Sequence, residues 1–582
     1  MTSLRLPLSP LGATARPFRK LRGHYRVRRG WAGAVTPPAR EALPEPFLWG
    51  DAEVGRRLVA GEWRAFGHSV LLGAGFWGTT LPDPRLEAER DTFRWLDDLA
   101  ALGTRKARQL AQRWTFEWID RFGRGRGPGW QPERAGARIF HWTAHAGFLT
   151  EGLGETDTAQ FWQAVAAHGR ALSKGWRDAG DLAARVEALA GAVHALALVA
   201  DPSCDEAADE LARLAARAVD PAGGTPSRAP EDLARIVIAL VWSARILETF
   251  GRHARPPHLH AIARAVPVLR ALRLGDGSTA RFQGGGPGDP VRLDQALAEL
   301  RLAARAKPRL PMGYARLAGG RVVAVMDGGL PPTGPDASGG AAGTLAFEMS
   351  AGTVPIIVNA GPGAAFGPAA DLASRGTAAH STVEIAGMPS ARLRRPRTAG
   401  RAAGSWIAQG PSLVSVRQAQ DATGQWLLAT HDGYVETLGL LHERRLFVDA
   451  KGTELRGEEI VHVPDARARR RFDAASRRRR DPMVLVAHFH LHPDVAAAVD
   501  PVRQVVEIRP PGIDTWIFRT GGGRVELRES RHFDPTAAAP LPSLQIMVIV
   551  EVIEYLGQVN WSFTRVPTTQ GHGRRSLAGG SP

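Results

Sequence analysis

The spacing of apolar residues changes once along this chain of 582 residues, near residue 308. From about residue 85 to 305, apolar residues recur at intervals of three and four, which is the periodicity of amphipathic helices. After the KPRLP string at 307–311 they alternate with polar residues, as they do in half-buried strands. A single change of period predicts an α+β multidomain chain, with an all-helical half followed by an all-β half.

The helical half divides into a series of candidate helices separated by Gly, Pro and Asp breaks. They cover 88–101, 104–122, 132–148, 157–177, 180–199, 204–218, 229–250, 257–271 and 291–305. Consecutive amphipathic helices with short loops predict a bundle, a toroid or a solenoid. No fixed repeat period is visible in the sequence, which disfavours the solenoid.

The β half contains about a dozen alternating runs, among them RVVAVMDGG, VPIIVNAG and SLQIMVIVEV. Short strands at close spacing, punctuated by Gly, Pro and Asp, predict a large antiparallel sandwich. The predicted organisation is a basic, Arg/Pro-rich arm at 1–48, a connecting segment at 49–84, a helical domain at 85–308, a sandwich at 309–568 and a flexible tail at 569–582.

Positive charge is concentrated at the amino terminus. The chain carries 74 Lys and Arg against 58 Asp and Glu, a formal net charge of +16. Nine of the basic residues and none of the acidic ones lie in the first 40 positions, so the remaining chain is only mildly basic. A nucleic-acid partner is not predicted, because aromatic residues do not interleave with the basic runs. The oligomeric state stays open.

The basic string DARARRRFDAASRRRRD at 465–481 has two interpretations. Its eight Arg and three Asp predict a polar loop inserted into the β half and surrounded by solvent. The alternative is a strip that touches a polyanion.

Simple features exclude several classes of protein. One cysteine, Cys204, excludes a disulfide framework and any CxxC metal or redox site. No run of 18 apolar residues occurs, so no membrane span is predicted. The string LLGAGFWG has GxGxxG spacing at Gly73, Gly75 and Gly78, but TTLPDP follows where a dinucleotide-binding loop needs a helix. No signal peptide is recognisable, because Pro and Arg interrupt the first apolar residues.

Several strings, in a fixed order, carry a resemblance to a known family. They are WQPERAGARIFHW (130–142), GGTPSRAPEDLARI (223–236), GTLAFEMSAGTVPIIVNAG (343–361), GTAAHSTVEI (376–385), HDGYVETLGLLHERRLFVD (431–449) and HFHLHPDV (488–495). With its helical half before its β half, the chain resembles the heparinase II/III-like polysaccharide lyases. The resemblance implies an incomplete α/α toroid followed by a large antiparallel β-sandwich.

The resemblance also implies a chemistry and a location. Such lyases cleave acidic polysaccharides by β-elimination, in which a base removes the C5 proton of a uronate, a donor neutralises its carboxylate and an acid protonates the leaving oxygen. In the family, a Tyr and an Asn or His of the helical domain and a His of the β domain supply these groups. Members generally work in the bacterial cell envelope or periplasm. The cytoplasm is the alternative here, because no signal peptide is recognisable.

The chain lacks two of these groups in its helical half. Its four Tyr all lie outside 85–305, and Asp232 aligns with the family Tyr. Both Asn residues, Asn359 and Asn560, lie in the β half. A His or Arg would have to bind the uronate carboxylate instead. The candidates in the helical half are Arg138, His141 and Arg228.

The β half lacks most of the family's metal ligands. SGGAAG at 338–343 stands where the resemblance places catalytic and zinc-binding His residues, and Asn359 stands at the metal-binding Asp. His380 is retained. One His and one Asn are too few for tetrahedral zinc, so neither a metal nor another cofactor is predicted.

A second group of His residues lies on one run of the β half. His488, His490 and His492 alternate, so their side chains share one face of a strand. They are predicted to be structural, hydrogen-bonded at a sheet edge or domain interface. A metal site on this face is the alternative.

The predicted site lies in a cleft between the two halves. Its catalytic candidates are His380, Arg228 and His141, and its substrate-binding candidates are Arg138, Trp142, Asn359 and His431. The helical spacing of the Trp residues leaves core packing as a second interpretation of Trp142. The predicted function is elimination on a uronate-containing acidic polysaccharide. The alternative is a lyase-fold protein that has lost its acid/base set and binds anionic glycans.

Overall fold

The computed structural model describes most of the chain. The described residues are 23–33, 35–73, 75–300, 310–334, 336–337, 339–394, 407–500, 502–503 and 505–567. The predicted tail at 569–582 and the first 22 residues of the predicted arm lie outside them. The predicted domain limits therefore stay predictions, although helices dominate before residue 300 and strands after residue 310.

Helices α1 to α13 form the first half of the described chain. They are residues 23–30, Ala52–Val59, Pro84–Thr92, Trp95–Leu102, Arg105–Phe122, Pro132–Ala144, Ala146–Thr150, Glu155–Gly175, Leu182–Leu198, Cys204–Ala218, Pro230–Thr249, Pro256–Ala271 and Pro290–Ala298. Three shorter helices, α14 to α16, lie in the second half at Pro368–Ser374, Val435–Leu438 and Ala466–Arg477. Along the described ranges, no helix is both long enough and apolar enough to cross a bilayer.

Helix α9 lies at the centre of the helical half. Asp181 accepts a hydrogen bond from the backbone N–H of Ala184 and so caps its first turn. Almost every later residue of α9 is buried, which is typical of a helix surrounded by other helices. It packs against α6, α8, α10 and α11, so the predicted helical domain has one continuous core.

Two of the predicted helices are each divided in two. Phe93 adopts a left-handed conformation with φ of 65° and separates α3 from α4. His145 leaves helical geometry between α6 and α7. The predicted arm also contains structure, because Trp31 donates its ring N–H to the carbonyl of Gly123 at 2.8 Å. Its described part therefore covers the helical half.

Strands β3 to β20 form the second half. They are Tyr314–Gly319, Val322–Asp327, Phe347–Ala351, Val354–Val358, Val383–Ile385, Arg392–Leu393, Ile407–Gln409, Val414–Gln420, Gly424–His431, Leu441–Asp449, Glu454–His462, Val484–Leu491, Ala496–Asp500, Val505–Arg509, Thr515–Thr520, Arg524–His532, Leu541–Glu551 and Leu556–Val566. A small hairpin, β1 (Glu62–Ala65) and β2 (His68–Leu71), follows α2.

Two antiparallel sheets form the predicted sandwich. Sheet I has the strand order β10-β11-β12-β13-β20-β17-β16-β15, and sheet II has the order β18-β19-β14-β6-β5-β4-β3, with β7 also paired to β14. The rings of Phe347 in sheet II and Trp561 in sheet I stack at 5.7 Å between the sheets. Aromatic residues from both inner faces therefore form the core between them.

The prediction of a solvated loop at 465–481 is wrong for most of that segment. Residues Ala466–Arg477 form α16, whose first turn is capped by the Asp465 carboxylate. Ala468 and Phe472, one turn apart, are buried against the sandwich, while most of the Arg side chains face outward. The run of charge led to the prediction of a loop. A helix forms instead because Ala and Arg both favour helices, and because two apolar residues at i and i+4 suffice to dock one face.

Candidate functional site

Arg228 lies just before α11 and joins the helical half to the sandwich. Its Nε donates to the carbonyl of Met312 at 3.1 Å, and its Nη1 donates to that of Leu330 at 2.7 Å. Its Nη2 donates to the carboxylate of Asp327 at 2.5 Å. Burial opposes the charge of Arg228, but the Asp327 carboxylate raises its pKa above the ordinary value. Each guanidinium nitrogen already has a protein partner.

The segment at 339–343 packs directly on the helical half. The side-chain amide of Gln283 donates to Asp327 at 2.6 Å, and its oxygen accepts from the backbone N–H of Ala341 at 2.9 Å. A Cβ at Gly339 would lie 2.6 Å from the carbonyl oxygen of Gln283, so only glycine permits this approach. The glycine and alanine residues here form an interdomain contact.

His380 lies beside this contact. Its Nδ1 hydrogen-bonds to the carbonyl of Gly376 at 2.8 Å, and its ring packs on the backbone of Gly343. Burial lowers its pKa, partly offset by the Gly376 carbonyl and the charge of Asp327. Arg228 and His380, two of the predicted catalytic residues, therefore meet around Asp327. Their catalytic roles stay predictions.

Asn359 lies in the same junction, with its side chain fully engaged. Its Nδ2 donates to the carbonyl of Arg281 at 3.1 Å, and its Oδ1 accepts from the backbone N–H of Ser381 at 3.0 Å. Its own backbone N–H donates to the Glu348 carboxylate at 2.8 Å. The amide thus links the segment before α13 to the segment that carries His380, and its predicted substrate contact stays a prediction.

Asp232, which is predicted to align with the family Tyr, lies in the first turn of α11. Burial raises the pKa of Asp232 to about 6, with further contributions from Asp181 and Glu231, against the opposing charge of Arg235. The neighbouring Glu231 accepts a hydrogen bond from the backbone N–H of Gly286 at 2.6 Å. Asp232 is a carboxyl group that can exchange a proton near neutral pH.

His141 lies in a buried cluster within the helical half. Its Nδ1 is 2.7 Å from Oδ1 of Asp97, and Nε2 of His145 is 2.9 Å from the same oxygen. Arg292 donates to the other carboxylate oxygen at 2.8 Å. Burial lowers the pKa of His141 to about 4, so the ring is neutral at physiological pH. These contacts hold the helices together, and the catalytic role of His141 stays a prediction.

Arg138 and Trp142 also lie in the core of the helical half, with 0% of each exposed. The Arg138 guanidinium lies 3.8 Å from the ring centroid of Trp118 and donates to Nε2 of His168 at 3.1 Å. Trp142 packs edge-to-face on Phe93 at 5.3 Å. Core packing, the second interpretation of Trp142, matches its position, and neither side chain has surface to offer a glycan.

His431 lies inside the sandwich. Its Nε2 is 3.1 Å from Nδ1 of His442, whose Nε2 is 3.0 Å from the Glu459 carboxylate. Arg444 pairs with that carboxylate at 2.8 Å, and the ring N–H of Trp561 donates to it at 3.0 Å. Burial holds the pKa of His431 well below its usual range. The chain of contacts belongs to the sandwich core, where a polysaccharide has no access.

His488 and His490 share a face of β14, whereas His492, the third residue of the predicted face, lies just beyond the end of the strand at Leu491. Their rings are stacked at 6.2 Å, and His488 hydrogen-bonds to Gln545 at 3.1 Å. His490 bonds to Ser530 at 3.1 Å and to the carbonyl of Ala378 at 2.8 Å. Across the residues that the structure describes, no three His, Cys, Asp or Glu side chains are grouped as a metal site requires.

Sequence reasoning missed Gln283 and Asp327, the two residues that organise the junction. Asp327 ends β4 as the single acidic residue of VVAVMD, and a carboxylate at the end of an apolar strand is a usable signal. Gln283 has φ of 54°, which only the structure reveals. A surface on sheet I, described below, was also not anticipated.

The family model for the heparinase II/III-like C-terminal domain matches residues 303–562. The solved structure of heparinase III aligns with a TM-score of 0.60 and 12% identity, covering 98% of this chain and 88% of that one. This chain belongs to the heparinase II/III-like family. A mutant of heparan sulfate lyase HepC from Pedobacter heparinus also shares the fold, with a TM-score of 0.53, 12% identity, and coverage of 94% and 88%.

This heparinase II/III-like chain also has a much closer relative in sequence. It is 31% identical over 566 residues to FtsZ-localized protein C of Caulobacter vibrioides, covering 93% of this chain and 94% of that protein. The order of a helical half and an antiparallel sandwich, predicted from the sequence, is confirmed by the structure and by the heparinase III fold.

Proposed function

We propose that this heparinase II/III-like chain has lost elimination chemistry and acts as a structural or binding protein. The observation that carries the proposal is the engagement of Arg228, whose three nitrogens bond to Met312, Leu330 and Asp327. The enolate formed in β-elimination needs a donor at the uronate carboxylate. The helical half has neither a Tyr nor an Asn to replace this Arg.

The relative of this chain suggests where it works. FtsZ-localized protein C matches nearly the whole length of both proteins, so the proposal extends its printed localisation to this chain. A protein that localises with FtsZ works in the bacterial cytoplasm. The sequence left this location open as the alternative to the cell envelope or periplasm. Binding of an acidic polysaccharide, the other partner predicted from the resemblance, then becomes a secondary property.

A fluorescent fusion expressed in the source cells tests this proposal. The fusion is expected to form bands at mid-cell that coincide with labelled FtsZ and disperse when FtsZ is depleted. The same fusion carrying R228A/D327A, which breaks the junction, is the control for folding. It shows whether localisation depends on an intact contact between the two halves. Fluorescence in the periplasm, or a uniform signal that ignores FtsZ, would contradict the proposed location.

One observation favours a second candidate, an active lyase. The carboxyl group of Asp232 has a pKa of about 6 at the position of the family Tyr, which suits a general acid or base. His380, with its buried imidazole beside Asp327, would move the other proton. In that case, D232N and H380A would each reduce formation of unsaturated uronate by about 10²–10⁴-fold, while both variants remain folded.

A further inference from the structure

The outer face of sheet I contains a groove of about 760 Å³ that lies apart from the Arg228 junction. Its floor is formed by strands β10, β11, β12, β13, β20 and β17, which are neighbours in the sheet. Outward-facing side chains on adjacent strands stand directly opposite one another, so they form rows across the sheet. These rows give the groove its chemistry.

The first row supplies most of the apolar floor and has the cation of Arg519 at one end. In register across the six strands, it contains Ala419, Trp426, Phe447, Arg456, Ser562 and Arg519. The second row, two residues along the strands, begins at Arg417 and includes Arg445 and Glu458. Arg417 and Arg519 therefore stand at opposite ends of the groove.

An aromatic platform lies near the Arg417 end. The rings of Trp426 and Phe447 are 4.1 Å apart, and the Arg456 guanidinium lies 4.4 Å from the Phe447 ring and 5.6 Å from the Trp426 ring. Trp426 is nevertheless 39% exposed. A large exposed ring stiffened by its neighbours is typical of binding surfaces.

The charges of the groove are unevenly satisfied. Arg445 pairs with Glu443 and Glu458, and Arg456 lies near Glu454. The two end residues differ, because the side chains of Arg417 and Arg519 are exposed and their guanidinium groups form no ion pair or hydrogen bond within the part of the chain that the structure describes. The groove therefore offers two free guanidinium groups that flank an apolar floor.

We propose that this groove binds an extended acidic peptide segment of a partner protein. An apolar side chain of the peptide packs on Trp426 and Phe447, and carboxylates at its two ends pair with Arg417 and Arg519. Five strand spacings separate these arginines, about 24 Å, which an extended peptide spans with about seven residues. The inference goes beyond the proposed function, because it concerns a different surface and does not depend on loss of elimination activity.

A uronate polysaccharide fits this groove less well than a peptide. Its carboxylates recur at short, regular intervals along the chain. Between Arg417 and Arg519 the groove instead presents the Trp426 platform, and the arginines there, Arg445 and Arg456, already have Glu458 and Glu454 as partners, so no free cation stands at those short intervals. Separated acids around an apolar centre match this arrangement of charge, and they are a property of peptides.

Fluorescence anisotropy of the full chain tests the inference. The probe is a fluorescein-labelled peptide of about ten residues, with Asp and Glu at both ends and Phe-Leu at its centre. R417A/R519A is expected to weaken its binding by about tenfold, as is W426A. Because the side chains of Arg417 and Arg519 are exposed and unpaired, R417A/R519A should leave the melting temperature unchanged. This double variant therefore still tests the inference if W426A fails to fold.

Two matched controls decide the outcome. R113A/R121A removes two exposed charges from α5 in the helical half and should leave peptide affinity unchanged. A peptide whose Phe-Leu centre is replaced by Ser-Ser should bind about tenfold more weakly. The inference is overturned if the probe does not bind, if R113A/R121A weakens binding as much as R417A/R519A, or if oligogalacturonate displaces the probe more effectively than unlabelled peptide.

Discussion

The guanidinium of Arg228 and the carboxylate of Asp327 form an ion pair, with 2.5 Å between Nη2 and Oδ1, that joins the helical half to the sandwich. Asp327 is 1% exposed and Arg228 13% exposed, so the pair is largely removed from water. Gln283 donates to the other carboxylate oxygen, which completes the contact from the helical side. The junction is thus built as a structural joint between the two halves.

Replacing Arg228 by Ala is expected to destabilise the chain by about 3–5 kcal/mol, because it leaves the buried Asp327 carboxylate without its partner. R228A/D327A should cost less than the sum of the two single variants, since neither charge is then left alone. Urea denaturation measures both quantities. E53A, which breaks a pair exposed on α2, should cost less than about 1 kcal/mol. An R228A variant as stable as the natural chain would mean that the joint is not formed.

The close packing of His380 on Gly343 gives a second prediction. A Cβ at residue 343 would lie 2.6 Å from Cδ2 of His380, so G343A should destabilise the chain by about 1–3 kcal/mol. The penalty should largely disappear when G343A is made in an H380A background, because the ring is gone. G522A is the control, since nothing lies within 4 Å of the added carbon. Equal penalties in both backgrounds would show that the ring is not in contact with Gly343.

His194 on α9 predicts sensitivity to acid. The ring packs against Phe140 with 4.2 Å between centroids, and both of its nitrogens lack hydrogen-bond partners. Burial lowers its pKa to about 3, below the ordinary 6.5, so the unfolded chain binds the proton more tightly. This contribution to stability is fully present above pH 6.5 and is lost as the pH falls from 6.5 towards 3.

H194L should therefore stabilise the chain more at pH 5 than at pH 8, with a difference of about 2 kcal/mol. Thermal or urea unfolding at the two pH values measures it. H260L, at an exposed position of α12, is the control and should show no such difference. A pH-independent effect of H194L would contradict a neutral, buried imidazole.

Asp232 gives a dependence of opposite sign. Its pKa is raised from 3.8 to about 6, so the folded chain binds the proton more tightly and stability falls as the pH rises from 3.8 to 6. D232N should accordingly stabilise the chain by about 1–2 kcal/mol at pH 7.5 and have little effect at pH 3.5. D494N, at an exposed carboxylate, should change the stability of the chain little at either pH. A destabilised D232N at pH 7.5 would indicate that Asp232 is stabilised as an anion.

The sequence predicted the order of the two halves because the apolar period is a local property, repeated along every helix and strand. It could not predict the pairing of Arg228 with Asp327, since 99 residues separate them and either could have faced solvent. Residue type gave Arg138 and His141 as candidates, but only the packing of the helices decides that their side chains are buried. The structure places His380 and Asn359 at the junction, where their catalytic and substrate-binding roles stay predictions and their hydrogen bonds depend on the fold.

Loss of elimination chemistry is most directly tested by absorbance of unsaturated uronate. The full chain is incubated with heparan sulfate, hyaluronan and polygalacturonate, and heparinase III is the positive control for heparan sulfate. The expected result is no absorbance change above buffer on any of the three glycans between pH 5 and 9. Steady formation of unsaturated product that H380A abolishes would contradict the account and establish the chain as an active lyase.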